Sequence, residues 1–117
     1  QGQWVVESHP FWTLPHEFCC MEVEAPDLFS TLEASDLLVL KGDLNYRKLL
    51  ADRVWDPSAD FASSVGPGFP CTSFVALRTN KSSVISGLEP GVAERTAAVD
   101  STWLSAGRFG VIQAALR

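Results

Sequence analysis

The run Leu37-Leu38-Val39-Leu40, cut off abruptly by Lys41-Gly42-Asp43, constrains this chain more than any other stretch. Consecutive bulky aliphatic residues leave no polar face to turn toward water. Such a run fits a strand over 36–40, buried between two layers of helix. The character then changes at once, because Lys41-Gly42-Asp43 stops the strand and Leu44 to Asp52 reads as a helix. In open α/β sheets, ligands bind beyond the carboxyl ends of the strands, so this junction is where chemistry is expected.

The same alternation recurs along the chain. Ser73 to Leu77 reads as a second buried strand, handing over to Arg78-Thr79-Asn80-Lys81. Val84-Ile85 suggests a short strand before Gly87, and Phe109 to Gln113 a last one. Ala25-Pro26-Asp27 opens a helix, since proline suits a first turn whose N–H would have no partner anyway. Leu28, Phe29 and Leu32 then recur at helical spacing as far as Ala34. Further helices are predicted over 58–65, stopped by Gly66-Pro67-Gly68, and over 90–98. His9 to Cys20 sets Pro10 and Pro15 among aromatics, which predicts an ordered loop packed on the core. The fold class is therefore α/β: a layered sheet of mainly parallel buried strands with flanking helices. The opening Gln1-Gly2-Gln3-Trp4 reads like mid-domain sequence, and Trp4 to Val6 like the end of a preceding helix or strand. The expectation is that residues 1–117 form an incomplete part of a larger domain, whose sheet takes further neighbours from upstream.

Composition narrows the function classes. A chain 46% hydrophobic and 20% charged is globular rather than disordered. A net charge of −5 argues against a nucleic-acid surface or an anionic membrane surface, both of which need a basic face. It leaves room for a small basic pocket. No apolar run approaches the roughly 18 residues that span a bilayer. Cys19, Cys20 and Cys71 cannot all pair, and neither a CxxC nor a Cys/His ligand spacing is present. They are expected as reduced thiols, in the cytosol or the nucleus.

Two constellations carry chemistry. The first is Lys41-Gly42-Asp43-Leu44-Asn45-Tyr46-Arg47-Lys48, at a strand-to-helix junction. A helix start offers free N–H groups and partial positive charge to an anion. Asp43 can accept hydrogen bonds from hydroxyls, Asn45 can donate and accept, and Arg47 can grip a phosphate or carboxylate with parallel bonds. The plainer reading is a connection in which Asp43 caps the helix and Arg47 lies on a solvated face. The second constellation, Arg78-Thr79-Asn80-Lys81, also follows a strand. If the two strands are parallel neighbours, Lys81 brings its point charge to the mouth that Arg47 reaches. The plainer reading is an exposed basic turn. On spacing alone, both pairs of readings stay open. His9 and His16 lack metal-binding partners at suitable spacing and read as structural. Glu7, Glu17, Glu22 and Glu24 read as surface charges, and Trp12, Trp55 and Trp103 as core or rim packing. Cys19 has no activating motif for a nucleophile.

Taken together and in order, these segments resemble a known family. Phe11-Trp12-Thr13-Leu14-Pro15-His16-Glu17 comes first, then Lys41 to Leu49, Asp52-Arg53, Trp55, Arg78 to Lys81, Gly87-Leu88, Pro90-Gly91 and Gly107-Arg108-Phe109-Gly110. The chain resembles the carboxyl-terminal portion of the damage-control phosphatases, subfamily III, some of which are also called acidic-residue methyltransferases. That subfamily carries an Arg-Thr-x-Lys motif, which Arg78 to Lys81 fits. The likeness covers roughly His9 to Gln113. The Gly42-to-Leu49 block is specific, whereas the tetrad alone would be weak.

The resemblance implies an α/β fold and divalent-metal-dependent hydrolysis of sugar phosphates such as fructose 1-phosphate and fructose 6-phosphate. It implies that Asp43, Leu44, Asn45, Tyr46 and Arg47 match the substrate-contacting stretch, and Lys81 the substrate-binding lysine. The implied cofactor is a divalent ion (Mn, Ni, Co or Mg). In the family an Asp-Asn pair and a later Asp, all upstream, hold it. This sequence has no Asp-Asn dipeptide, so no metal ligand is assigned within it and the catalytic residue is unassigned. Lesser departures are Ala51, where glycine is usual, and Asn80 at the variable motif position. The expected partners are a sugar phosphate and the amino-terminal part of the same protein. Two other functions remain: a catalytically inactive fragment or degenerate paralogue serving as a binding or scaffold segment, and a protein carboxyl methyltransferase using S-adenosylmethionine. The latter finds no Gly-rich cofactor loop here.

Overall fold

The structure is a computed structural model describing residues 2–69 and 72–117. Its spine is a sheet in which β2 (Phe74–Thr79) lies between β1 (Leu38–Lys41) and β3 (Gly110–Ala115). β1 and β2 run parallel, with Leu38 opposite Phe74 and Lys41 opposite Leu77. β3 runs antiparallel to β2, from Phe74 opposite Ala115 to Thr79 opposite Gly110.

The α/β class is as expected, but the sheet is mixed. A parallel third strand would need the chain to cross back to the start of β2. The chain instead stays at the carboxyl end. Asn80 donates its backbone N–H to Phe109 at 2.8 Å, and Gly107 donates to Asn80 at 3.1 Å, so β3 begins where β2 ends.

The expectation that β1 is covered on both faces also fails. Leu38 and Leu40 point into the core, whereas Val39 is 58% exposed and Leu37, just before the strand, is exposed too. The pattern continues on β2, where Phe74, Ala76 and Arg78 are buried and Thr79 is exposed. On β3, Ile112 is 78% exposed. One face of the sheet is packed and the other meets solvent.

The packed face is built largely from aromatics. α1 (Met21–Glu24) and α2 (Pro26–Glu33) supply Met21 and Phe29, with Pro26 at the first position of α2 as predicted. α3 (Asp43–Leu49) supplies Tyr46 and Leu49, and α4 (Phe61–Val65) supplies Phe61 and Val65. Phe61 sits between Tyr46 and Phe74, with ring centroids 6.4 and 5.9 Å away. The loop 9–20 packs as expected, through two 3₁₀ turns, Pro10–Thr13 and Phe18–Cys20. Lys48 ties it to α3 by donating to the carbonyls of Phe11 and Trp12 at 3.3 and 3.2 Å. Burial lowers the Lys48 pKa. His9 has the structural role expected: Nδ1 accepts from the Phe11 N–H, and Nε2 faces the Asp27 carboxylate at 3.1 Å.

Other boundaries move for local reasons. α3 stops at Leu49 because Ala51 and Asp52 adopt left-handed φ values of 58° and 51°. α4 starts late because Asp56 forms a turn with Ser58, and Asp60 then caps the helix by accepting from the Ser63 N–H at 2.9 Å. α5 (Val92–Val99) opens after Gly91 in a left-handed conformation. β2 runs on to include Arg78 and Thr79. Val84 and Ile85 are buried but form no strand, and Trp4 to Val6 form neither helix nor strand and are exposed. Cys71 lies outside the described residues. No helix among the described residues is long and apolar enough to cross a membrane.

A one-sided sheet makes a direct prediction. Leu40→Ala should lower the unfolding free energy of this chain by about 2–5 kcal/mol. Val39→Thr, one residue away, should change it by less than about 0.5 kcal/mol. Urea titration of both variants checks this, and equal losses would mean that both faces are packed.

Candidate functional site

The parallel pairing of β1 with β2 brings both predicted junctions to one edge. Gly42 follows β1 with φ of 105°, a left-handed conformation that a side chain resists, and its N–H donates to Leu77 of β2 at 2.9 Å. α3 therefore starts beside the end of β2. Lys41, Gly42 and Asp43 line one wall of an open cleft of about 620 Å³. Leu77 to Thr79 and Lys81 line another, and Gly110 to Ile112 the third.

Arg78 organises this edge. Its side chain is 0% exposed. Nε donates to Asp43 Oδ1 at 2.9 Å, Nη1 to the Val84 carbonyl at 2.6 Å, and Nη2 to the carbonyl and hydroxyl of Ser82, both at 3.0 Å. The guanidinium also lies 4.3 Å from the Tyr46 ring centroid. A buried cation needs this set of partners, because an unmatched one would be strongly disfavoured. Asp43 Oδ1 also accepts from the Lys81 backbone N–H at 3.1 Å and from Ser82 Oγ at 3.2 Å. One carboxylate oxygen thus gathers the start of α3, the end of β2 and the following loop. Among the described residues, Oδ2 receives no hydrogen bond. Gly110 completes the wall, because a Cβ there would collide with the Arg78 carbonyl.

The predicted site residues separate into groups. Asp43 and Lys81 come together in the cleft. Leu44 and Arg47 line a smaller hollow with Pro15, Glu17, Lys48 and Asp52 instead. There Arg47 holds Asp52 with two bonds of 2.8 and 3.0 Å, which lower the Asp52 pKa and raise that of Arg47. Asn45 donates to the Lys41 carbonyl at 2.8 Å, one helical turn back. Tyr46 is buried, and its hydroxyl donates to Gln113 Oε1 at 2.7 Å. Burial raises its pKa despite the nearby Arg78 charge. Of the second constellation, Asn80 is buried, donating to the Trp103 carbonyl at 3.5 Å, and Thr79 is exposed at the cleft.

Sequence reasoning missed Arg78 as a buried hub and Ser82 altogether, and it placed Lys41 and Gly110 in motifs without giving either a role of its own. A signal was present for Arg78. Strand side chains alternate, so Arg78 shares the inward face of Phe74 and Ala76, and an inward arginine demands a carboxylate. Cys20 is a poor nucleophile, its thiol pushed up to about 11 by burial and by the Glu17 carboxylate.

As an arrangement, the cleft offers an ammonium at Lys81, a second lysine at Lys41 and one free carboxylate oxygen. This set can hold an anion together with a hydroxyl-bearing group. It does not fit a divalent metal ion, because among the described residues the Asp43 carboxylate is the one acidic group lining it and its Oδ1 is already occupied.

Comparison with known proteins bears on what this edge belongs to. Residues 1–96 match the sequence model of the damage-control phosphatase ARMT1-like domain. The chain belongs to the damage-control phosphatase ARMT1-like family. Within that family it is 47% identical over 113 residues to damage-control phosphatase ARMT1 of Danio rerio, an alignment covering 97% of this chain and 25% of that protein. It is 44% identical to the Xenopus laevis protein of the same name over 113 residues, covering 97% of this chain and 26% of the relative. The Homo sapiens protein is 43% identical over 112 residues, or 96% and 25%. The chain spans about a quarter of the length of these curated relatives.

The two arginines should behave differently on substitution. Arg78→Lys keeps the charge but cannot reproduce the fork, and should cost this chain about 2–4 kcal/mol, given roughly 1–3 for each buried group left unpaired. Arg47→Ala, removing an exposed pair, should cost less than about 1 kcal/mol. Denaturant unfolding separates them.

Proposed function

We propose that the whole protein hydrolyses phosphate esters of sugars, with fructose 1-phosphate and fructose 6-phosphate as the reference substrates, and that this chain supplies part of the substrate grip. The observation that carries the reading is the convergence of Asp43 and Lys81 in one cleft, at the carboxyl ends of two parallel strands, in a chain of a phosphatase family. The Arg-Thr-x-Lys tetrad supports subfamily III.

In this reading the Lys81 ammonium neutralises charge on the phosphate oxygens, more strongly as charge develops in the transition state. Lys41 adds a second cation at the same mouth. Asp43, held by Arg78, presents Oδ2 to a sugar hydroxyl. Arg78 positions Asp43 and does not touch substrate, since its donors are taken within the protein. The contact roles of Leu44, Asn45, Tyr46 and Arg47 are weaker in this reading. The Asn45 amide, the Tyr46 hydroxyl and the Arg47 guanidinium already have protein partners, and Leu44 faces the neighbouring hollow.

The reading includes a divalent ion of the Mn, Ni, Co or Mg kind. Its ligands come from beyond this chain, because the cleft residues do not make a set for it. The free thiols of Cys19 and Cys20 support a reducing compartment, the cytosol or the nucleus.

In the full-length protein, Lys81→Ala should lower kcat/KM for sugar-phosphate hydrolysis at least about tenfold, matching the loss of one charge-assisted contact worth roughly 1.5–3 kcal/mol. Phosphate release over a panel of sugar phosphates, with and without manganese, is the measurement. Unchanged kinetics in a folded variant would remove Lys81 from the site. No release from any of the esters by the wild type would favour a binding segment or a methyltransferase.

A further inference from the structure

Away from the cleft, three side chains converge on one point. Glu17 precedes the 3₁₀ turn Phe18–Cys20, and its Oε2 lies 3.4 Å from Cys20 Sγ and 4.0 Å from Cys19 Sγ. All three donor atoms lie within 4.8 Å of one another, the one such trio of metal-ligating side chains among the described residues. We propose that Glu17, Cys19 and Cys20 bind a thiophilic divalent cation of the zinc class.

The spacing fits such an ion. A tetrahedral zinc with bonds of ~2.3 Å to sulfur and ~2.1 Å to oxygen sets a sulfur and an oxygen ligand about 3.6 Å apart. The two observed sulfur–oxygen separations, 3.4 and 4.0 Å, bracket that value. Each sulfur therefore stands within a few tenths of an ångström of its required separation from the Glu17 oxygen.

The turn is also held in place. Phe18, between the ligands, is fully buried against Phe69, with ring centroids 5.1 Å apart, and Trp12 meets it edge-on at 5.8 Å. The Cys20 N–H donates to the Glu17 carbonyl at 3.0 Å, and Met21 anchors the next residue in the core. Ligands on a backbone fixed at both ends lose little freedom on binding.

The donor set selects the cation. Paired thiolates favour zinc and other soft ions over magnesium or manganese, which take oxygen ligands. Each thiol releases its proton to solvent as the ion binds. Three protein ligands leave a fourth position open to water or to a group from elsewhere. The site is separate from the cleft and independent of the phosphatase reading.

The test titrates purified full-length protein, reduced and stripped with a chelator, with Cd²⁺ alone. The readout is the ultraviolet thiolate-to-cadmium charge-transfer band, to which oxygen-ligand metal sites contribute nothing. The wild type should show a saturable band that Zn²⁺ suppresses by competition. Cys19→Ser/Cys20→Ser should abolish it, and Glu17→Gln should weaken affinity at least about tenfold, since even outer-shell partners of a metal contribute that much. Cys71 is intact in every variant and serves as the control thiol. Absence of a wild-type band, or its persistence in the double variant, overturns the site. If loss of the half-buried Cys20 thiol disturbs folding, Cys19→Ser alone decides the matter, because Cys19 is exposed. A full band in folded Cys19→Ser overturns the proposal equally.

Discussion

Arg78 enters the core from the central strand with its side chain wholly shielded from water, and Asp43 is the counter-charge that makes this tolerable. Buried ion pairs are weak evidence of net stability, because desolvating both charges offsets much of their attraction. Their stronger effect is on geometry: each partner confines where the other can be. Here the pair joins the first turn of α3 to the end of β2. Through the Lys81 N–H and Ser82 hydroxyl it also fixes the loop beyond. Gly110 lets β3 approach the Arg78 backbone, and Gly42 permits the positive φ that turns the chain from β1 into α3. The cleft and its lysines follow from that arrangement.

The arrangement also explains which residues remain available for a ligand. The guanidinium of Arg78 donates to protein groups at all three nitrogens, and Arg47 is held by Asp52 in a different hollow. Positive charge at the cleft therefore comes from lysines. A lysine presents a point charge that rotates to suit an anion, whereas an arginine fork demands planar geometry. Asp43 contributes through the oxygen that its internal partners leave open.

Much of this was legible in the residues. The apolar runs before Lys41 and Arg78 located two strands, Pro26 opened its helix, and the paired junctions pointed to one edge of a sheet. Direction and coverage were not legible. Leu37 to Leu40 reads as doubly buried, yet Val39 faces solvent, because an apolar run cannot say whether a second layer is present. β3 reverses because of hydrogen bonds from Asn80 and Gly107, which no periodicity records. Arg47 looked as suitable for phosphate as Lys81. Its capture by Asp52 depends on the left-handed turn at Ala51 and Asp52, which swings that carboxylate back along the helix. Exposed Val39 and Ile112 lie on the face of the sheet that meets solvent.

The central claim is energetic coupling between Asp43 and Arg78, and a double-mutant cycle on the unfolding free energy measures it. Asp43→Asn, Arg78→Met and the combination would each be titrated with urea. The account predicts that Asp43→Asn is far more damaging beside Arg78 than beside methionine, with a coupling of about 2–3 kcal/mol. Additive losses, agreeing within about 0.5 kcal/mol, would contradict it.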